Sequence, residues 1–235
     1  MEKVASLFDE IQRNSSTNNK ARIPKLNKVL QSESEEERDS ILQSIWRGCL
    51  DRCLLCAKKE NVVEKMIDFL SSFVSSQATT DAVFNSCTKH LLDRSRATNK
   101  VVRLRTCQML LSIILGTIES GKEVSEDTLK SIVDSLFSRL KDKVPAVRVW
   151  AVKVASQLQT MGDGLTEEIC RLLQSDTSKD VCVVAVEGIS LTKLTLPLII
   201  ARVKDVRPEV RIAVYNRLSE KDTISVKVRH CAVQF

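Results

Sequence analysis

A short cadence repeats through the second half of this 235-residue chain, and it constrains the fold more than any other feature. It reads Lys-Val-Val-Arg-Leu from Lys100, Pro-Ala-Val-Arg-Val from Pro145, Lys-Asp-Val-Cys-Val from Lys179 and Pro-Glu-Val-Arg-Ile from Pro208. The Arg, or the Cys that replaces it, recurs at intervals of 45, 34 and 29 residues. An Asp stands six residues earlier in three of the copies, at Asp142, Asp176 and Asp205. Self-similarity at such periods marks stacked helical hairpins, each too small to bury its apolar face alone. Such a stack is a surface for holding something else, so the pattern points to a scaffold and away from a catalyst.

Periodicity places the elements. Lys20 to Leu30 reads as a helix after a polar loop, Arg13 to Asn19, and apolar stripes follow at helical spacing from Ile41 onward. The later segments pair cleanly. Thr128 to Lys141 is expected to precede a helix from Pro145 to about Gln159, with Pro145 in its first turn, where a missing N–H costs nothing. Thr166 to Leu173 pairs with Lys179 to Ile189, and Thr195 to Val203 with Pro208 to Leu218. Aligned on the cadence Arg, the second helices repeat one stripe. Val102, Val147, Val181 and Val210 stand one residue before it. Thr106, Ala151, Ala185 and Val214 stand three after, Cys107, Val152, Val186 and Tyr215 four after, and Leu110, Ala155, Ile189 and Leu218 seven after. The expected fold is all-α, an α-solenoid of antiparallel helix pairs formed by residues 1–235 as a single array. Five or six helix pairs of roughly forty residues would fill it. Thr223 to Phe235 reads as the first helix of a pair that lacks its second, so the chain is expected to be a fragment of a longer array.

Composition narrows the class. Only 6 Gly and 4 Pro occur, too few turn-makers for a sheet protein of this length. No apolar run reaches the length of a membrane span, Met109 to Leu115 included, and the first residues lack a signal-peptide core. The expectation is a cytosolic or nuclear protein whose 8 Cys are reduced thiols. Cys49, Cys53 and Cys56 share one helical face, but the spacing lacks the short C-x2-C turns of structural zinc sites. They read as buried hydrophobes, and no metal is expected. The 2 His form no triad, and no Gly-rich phosphate loop occurs, so neither catalytic residues nor a cofactor are expected.

Net charge is +6, and residues 94–153 hold the whole excess, with twelve Lys or Arg against six Asp or Glu. That balance suggests an acidic partner. Only 9 aromatics occur, and most fall in core stripes, so stacking on single strands is not expected. No exposed recognition element for base edges is visible. Nucleic acid, if bound, would be duplex held by its phosphates. Arg103 and Arg105, two residues apart, cannot share one helical line. Alignment gives Arg103 to the repeat framework and leaves Arg105 as the solvent-facing candidate. Arg94, Arg96 and Lys100 lie in the preceding turn, and Lys141 and Lys143 flank Asp142 one repeat later.

An Asp in the turn and an Arg after Val in the second helix resembles the HEAT-repeat pattern, which implies a HEAT-repeat α-solenoid of the armadillo-like kind. In such repeats these residues commonly bond along the stack, which implies a ladder of Asp142, Arg148, Asp205, Arg211 and Arg103, interrupted at Cys182. A longer match runs from Leu92-Asp-Arg-Ser-Arg-Ala-Thr-Asn-Lys-Val-Val-Arg-Leu-Arg-Thr-Cys-Gln through Arg139-Leu-Lys-Asp-Lys-Val-Pro-Ala-Val-Arg-Val to Lys204-Asp-Val-Arg-Pro-Glu-Val-Arg. It resembles the condensin complex subunit 3 family, the G-type HEAT subunits, strongly over residues 82–222 and more weakly before. The resemblance implies the N-terminal arm of a non-catalytic subunit that holds the kleisin and double-stranded DNA to support mitotic chromosome condensation. It further implies contact with SMC ATPases only through the complex, and neither a membrane nor a small-molecule substrate as partner. It also implies a nuclear and chromosomal location with a cytoplasmic pool. Lys58 and Lys59 sit where the family tends to carry a basic pair, and Lys100, Arg103 and Arg105 lie in the motif that covers its second basic patch. The alternative is a general HEAT scaffold that binds proteins and no DNA.

Overall fold

The computed structural model describes residues 22–57, 60–160 and 164–219, together with Ser6, Asp9 and Glu10. The expectations for Arg13 to Asn19 and Thr223 to Phe235 lie outside the described residues. Among the described residues every regular element is helical. In chain order they are α1 (Ile23–Ser32), α2 (Glu35–Ile41), a π-helical stretch (Leu42–Arg47), α3 (Gly48–Leu55), α4 (Asn61–Ser75), α5 (Asp81–Arg94), α6 (Lys100–Ser120), α7 (Glu126–Leu140), α8 (Pro145–Gln157), α9 (Leu165–Ser175), α10 (Lys179–Gly188), α11 (Leu196–Ala201) with a 3-10 turn (Arg202–Lys204), and α12 (Pro208–Ser219). This is the all-α helical-hairpin pattern that the cadence implies. Two compact units divide between Ile132 and Val133, inside α7.

In the first unit α4 and α6 pack along each other, with α3 and α5 against both. The 21-residue α6 starts on Asn99, whose side chain accepts from the Val101 N–H, a standard N-cap. By length and composition α6 is apolar enough to cross a membrane. Its buried residues include Met109, Leu110, Ile113 and Ile114, so it is the core helix of this unit. Cys49, Cys53 and Cys87 are buried here as well. Burial pushes the Cys53 thiol up to about 11, which leaves it protonated at neutral pH.

In the second unit α10 lies between α8 and α12, and α9 packs on both α8 and α10. The aligned stripe forms the interior. Val147, Val181 and Val210 are fully buried, as are Ala151, Ala185 and Val214. Each such valine contributes roughly 1.5–3 kcal/mol by leaving water, so the repeated apolar positions are the main source of cohesion. Tyr215 departs from the pattern at 56% exposure.

Successive second helices meet through a glycine set against a serine. A Cβ added to Gly116 of α6 would collide with Ser75 Oγ of α4 and stand 2.9 Å from its Cβ. Gly188 of α10 meets Ser156 of α8 in the same way, again 2.9 Å from the serine Cβ. Amide side chains lock these crossings. Gln159 Nε2 donates to both Ser156 O and Gly188 O at 2.9 Å, and Gln77 Nε2 donates to Ser120 O at 2.8 Å. Gly188→Ala should therefore destabilise the chain. Overpacking costs about 1–3 kcal/mol and the better helix propensity of alanine returns at most about 1, for a net loss of about 1–2 kcal/mol in urea denaturation. The exchange Ser156→Gly/Gly188→Ala should recover part of that loss. No recovery would mean that the crossing does not limit the packing.

Candidate nucleic-acid interface

The candidate site lies on the turns that lead into the second helices. In the second unit each of these turns is built by its Asp. Asp142, Asp176 and Asp205 accept through Oδ1 from the N–H two residues on, at Val144, Ser178 and Arg207, over 2.8–3.0 Å. This Asx turn holds the chain at the angle the next helix needs. The Arg six residues later then donates Nη1 to the carbonyl of the same Asp, 2.7 Å for Arg148 to Asp142 O and 2.7 Å for Arg211 to Asp205 O. Arg103 makes the corresponding bonds in the first unit, to Ala97 O at 3.0 Å and Thr98 O at 2.7 Å. Arg148 also reaches forward, with Nε and Nη2 on the two carboxylate oxygens of Asp176 at 2.7 and 2.8 Å. One guanidinium thus ties its own turn to the next, in the bidentate geometry that favours Arg over Lys.

The interruption expected at Cys182 is corrected by the structure, because Arg207 fills it from the following turn. Its Nε and Nη2 sit on Asp205 at 2.9 and 3.0 Å, its Nη1 points to Asp176 O at 3.3 Å, and Nη2 lies 3.4 Å from Cys182 Sγ. Those are the bonds that an Arg at position 182 would make by analogy with Arg148. The Arg207 bonds, with help from Arg202 at 3.2 Å, hold the Asp205 carboxyl well below the usual carboxylate range, although burial acts the other way. Burial pushes the Cys182 thiol up despite the neighbouring guanidinium, so the sulfur is a neutral filler.

Arg105 requires a second correction. It was the solvent-facing candidate, yet its side chain is 5% exposed. It donates to Cys56 O at 3.2 Å, Glu64 Oε1 at 2.7 Å and Gln108 Oε1 at 3.2 Å. The wide α6 contact surface buries both lines of the helix that carry Arg103 and Arg105, so neither is presented to solvent. Arg94 is partly exposed but committed, with Nε and Nη2 on Asp51 at 2.8 and 2.7 Å. Asp51 also meets His90 Nε2 at 3.1 Å. Burial pushes its carboxyl up, but the bonds from Arg94 and His90 outweigh this and leave it below the usual range. Lys58 and Lys59 lie outside the described residues.

Arg96, Lys100, Lys141 and Lys143 remain exposed and form no ion pair among the described residues. Arg96 and Lys100 flank the turn before α6 in the first unit. Lys141 and Lys143 flank the turn before α8 in the second, where they line one cleft of about 550 Å³ with Arg171. Arg171 was not singled out by its sequence context. Periodicity marks it only as an outward residue on α9, and its place beside the 141–143 turn depends on how the hairpins stack. Among the described residues no group of three or more His, Cys, Asp or Glu is placed to hold a metal ion.

No family model matches the chain. It is 31% identical to human condensin complex subunit 3 over 177 residues, which is 70% of this chain and 17% of that protein. It is 32% identical to the Schizosaccharomyces pombe protein of the same name over 176 residues, 72% of this chain and 20% of the relative. The chain is related to condensin complex subunit 3. The crystal structure of the S. pombe condensin Cnd3-Cnd2 subcomplex contains a chain that superposes with a TM-score of 0.69 and 27% identity, covering 91% of this chain and 27% of that one. The chain thus spans about a fifth of the length of the condensin subunit 3 relatives it matches.

Proposed function

We propose that this chain is part of a condensin G-type subunit, a non-catalytic HEAT scaffold that holds a kleisin segment and duplex DNA. The sequence and structural similarity to condensin complex subunit 3 carries the reading. Residues 1–235 would be one arm of a longer array, joined to SMC ATPases through the complex and acting on mitotic chromosomes in the nucleus, with a cytoplasmic pool. Arg96, Lys100, Lys141 and Lys143 would neutralise phosphates. Arg94 would join them by exchanging Asp51 for a phosphate, and Lys58 and Lys59 are retained from the family's basic pair. The exposed cations sit on or beside turns, on flexible side chains, with no fixed array of Asn, Gln or Arg among the described residues to read bases. Binding through the backbone, without sequence preference, follows from that arrangement.

Duplex-DNA binding across a salt series, with and without a kleisin fragment, tests the reading. Each neutralised phosphate contributes about 0.9 to the slope of log K against log salt. Reversing Arg96, Lys100, Lys141 and Lys143 to Glu should remove about three to four from that slope. Binding that is absent, or indifferent to salt, with and without kleisin would sink the DNA role and favour a scaffold that holds proteins alone.

A further inference from the structure

We propose that the cleft between the 141–143 turn and the C-terminal end of α9 is a discrete phosphate cradle for the DNA backbone, and that Arg171 and Thr177 belong to it. This rests on the duplex-DNA reading above and assigns two residues to it. The cleft occupies about 550 Å³, and only Leu140 and Leu172 among its lining residues are apolar. Lys141 and Lys143 enter from the first turn, Arg171 from α9, and Thr177 from the second turn. Arg171 uses Nε and Nη2 on Glu168 Oε1, at 3.0 and 2.7 Å, which leaves Nη1 without a partner among the described residues. Glu168 thereby fixes the guanidinium and still leaves one edge open. The Thr177 hydroxyl likewise has no partner among the described residues, and its residue is exposed. Two ammonium groups, one guanidinium nitrogen and one hydroxyl therefore line a single depression.

The two acids in the cleft do not oppose an anion. Asp142 is bonded by Arg139 at 2.9 Å and Asp176 by Arg148 at 2.7 Å, and both carboxylates are 4% exposed. Their charge is spent inside the ladder, beneath the cations. The residual field in the cleft is positive, and its donors suit phosphate oxygens. With so little apolar lining, nothing in the cleft would grip the side chains of a phosphopeptide. A repeating backbone of phosphates fits it better.

Two measurements on the 235-residue chain separate the cradle from the reading beneath it. Arg171→Gln changes an exposed residue, so its fold can be checked by thermal melting. It should lower the slope of log K against log salt for duplex DNA by about 0.9, roughly a 3.5-fold difference in relative affinity between about 50 and 200 mM salt. In a separate titration, pyrophosphate added to the isotopically labelled chain should shift the amide signals of residues 141–143 and 171–177, and Arg171→Gln with Thr177→Val should abolish those shifts. If Lys141→Gln with Lys143→Gln lowers the DNA slope and Arg171→Gln does not, the DNA reading stands and the cradle is wrong. If the chain binds no duplex but pyrophosphate shifts those amides, the anion site is real and DNA is not its ligand, which overturns the proposal as stated. Absence of both signals overturns the cradle and the DNA reading together.

Discussion

Arg207→Ala should destabilise the second unit by about 2–3 kcal/mol, and Cys182→Arg should restore much of the loss. The first half follows from burial. The Asp205 side chain is 2% exposed, and Arg207 covers it with two hydrogen bonds. Removing one partner of a buried pair typically costs about 3–5 kcal/mol. Arg202 and the Arg207 N–H still reach Asp205, which places the expectation lower in that range or just below it. The second half follows from position. Cys182 Sγ touches the Arg207 guanidinium at 3.4 Å, so an Arg side chain grown from residue 182 enters the space that alanine at 207 vacates. Cys182→Arg alone should be unfavourable, since two guanidinium groups would compete for one carboxylate. Urea denaturation of the two single variants and the double variant gives the coupling directly. A double variant no more stable than the sum of the singles would show that Arg207 is not standing in for the missing ladder residue.

This substitution also shows what the sequence could reveal. The cadence was legible because a buried stripe must recur whenever the same hairpin recurs, and Val147, Val181 and Val210 are fully buried at the aligned position. The helix boundaries followed from Pro145, Pro208 and the Asp turns to within a residue or two. Side-chain direction was less legible. The spacing of Arg103 and Arg105 correctly separates them onto two helical lines, but it cannot tell that α6 is buried on both. That depends on α3, α4 and α5 closing around it. Cys182 reads as an interruption in any alignment by position. Its repair comes from a residue 25 positions later, in a different turn, and only the folded geometry relates the two. Arg171 escaped for the same reason, because a cleft between turns has no local signature. The Gly116 and Gly188 contacts were hidden as well. A glycine in a helix is usually only a weakness, and its packing role appears once Ser75 and Ser156 are placed against it.

Asp176 is the residue on which the ladder of the second unit converges, and its loss should be the costlier one. Its carboxylate takes both donors of Arg148 and the Ser178 N–H, and its carbonyl accepts from Arg207. Among the described residues, Asp176→Ala leaves Arg148, 13% exposed, with only the Asp142 carbonyl. It also deprives the turn before α10 of its Asx bond. An uncompensated buried charge of this kind costs about 3–5 kcal/mol. Asp176→Asn separates the two contributions. The amide oxygen can still accept from Ser178 and from one Arg148 nitrogen, so the turn survives while the ion pair is lost. The expected order in urea denaturation is wild type, then Asn, then Ala, with the Asn variant recovering the share of the turn, about 1 kcal/mol by analogy with other side-chain caps. Equal losses for Asn and Ala would assign the whole effect to charge. A loss confined to Ala would assign it to the turn, and the Arg148 bridge would then be an exposed-type pair of little weight. Because Arg148 and Asp176 both lie beneath the proposed phosphate cradle, the Asn variant also leaves the guanidinium charge unopposed there. Its duplex-DNA affinity should rise while its stability falls, a divergence that a general loss of fold cannot produce.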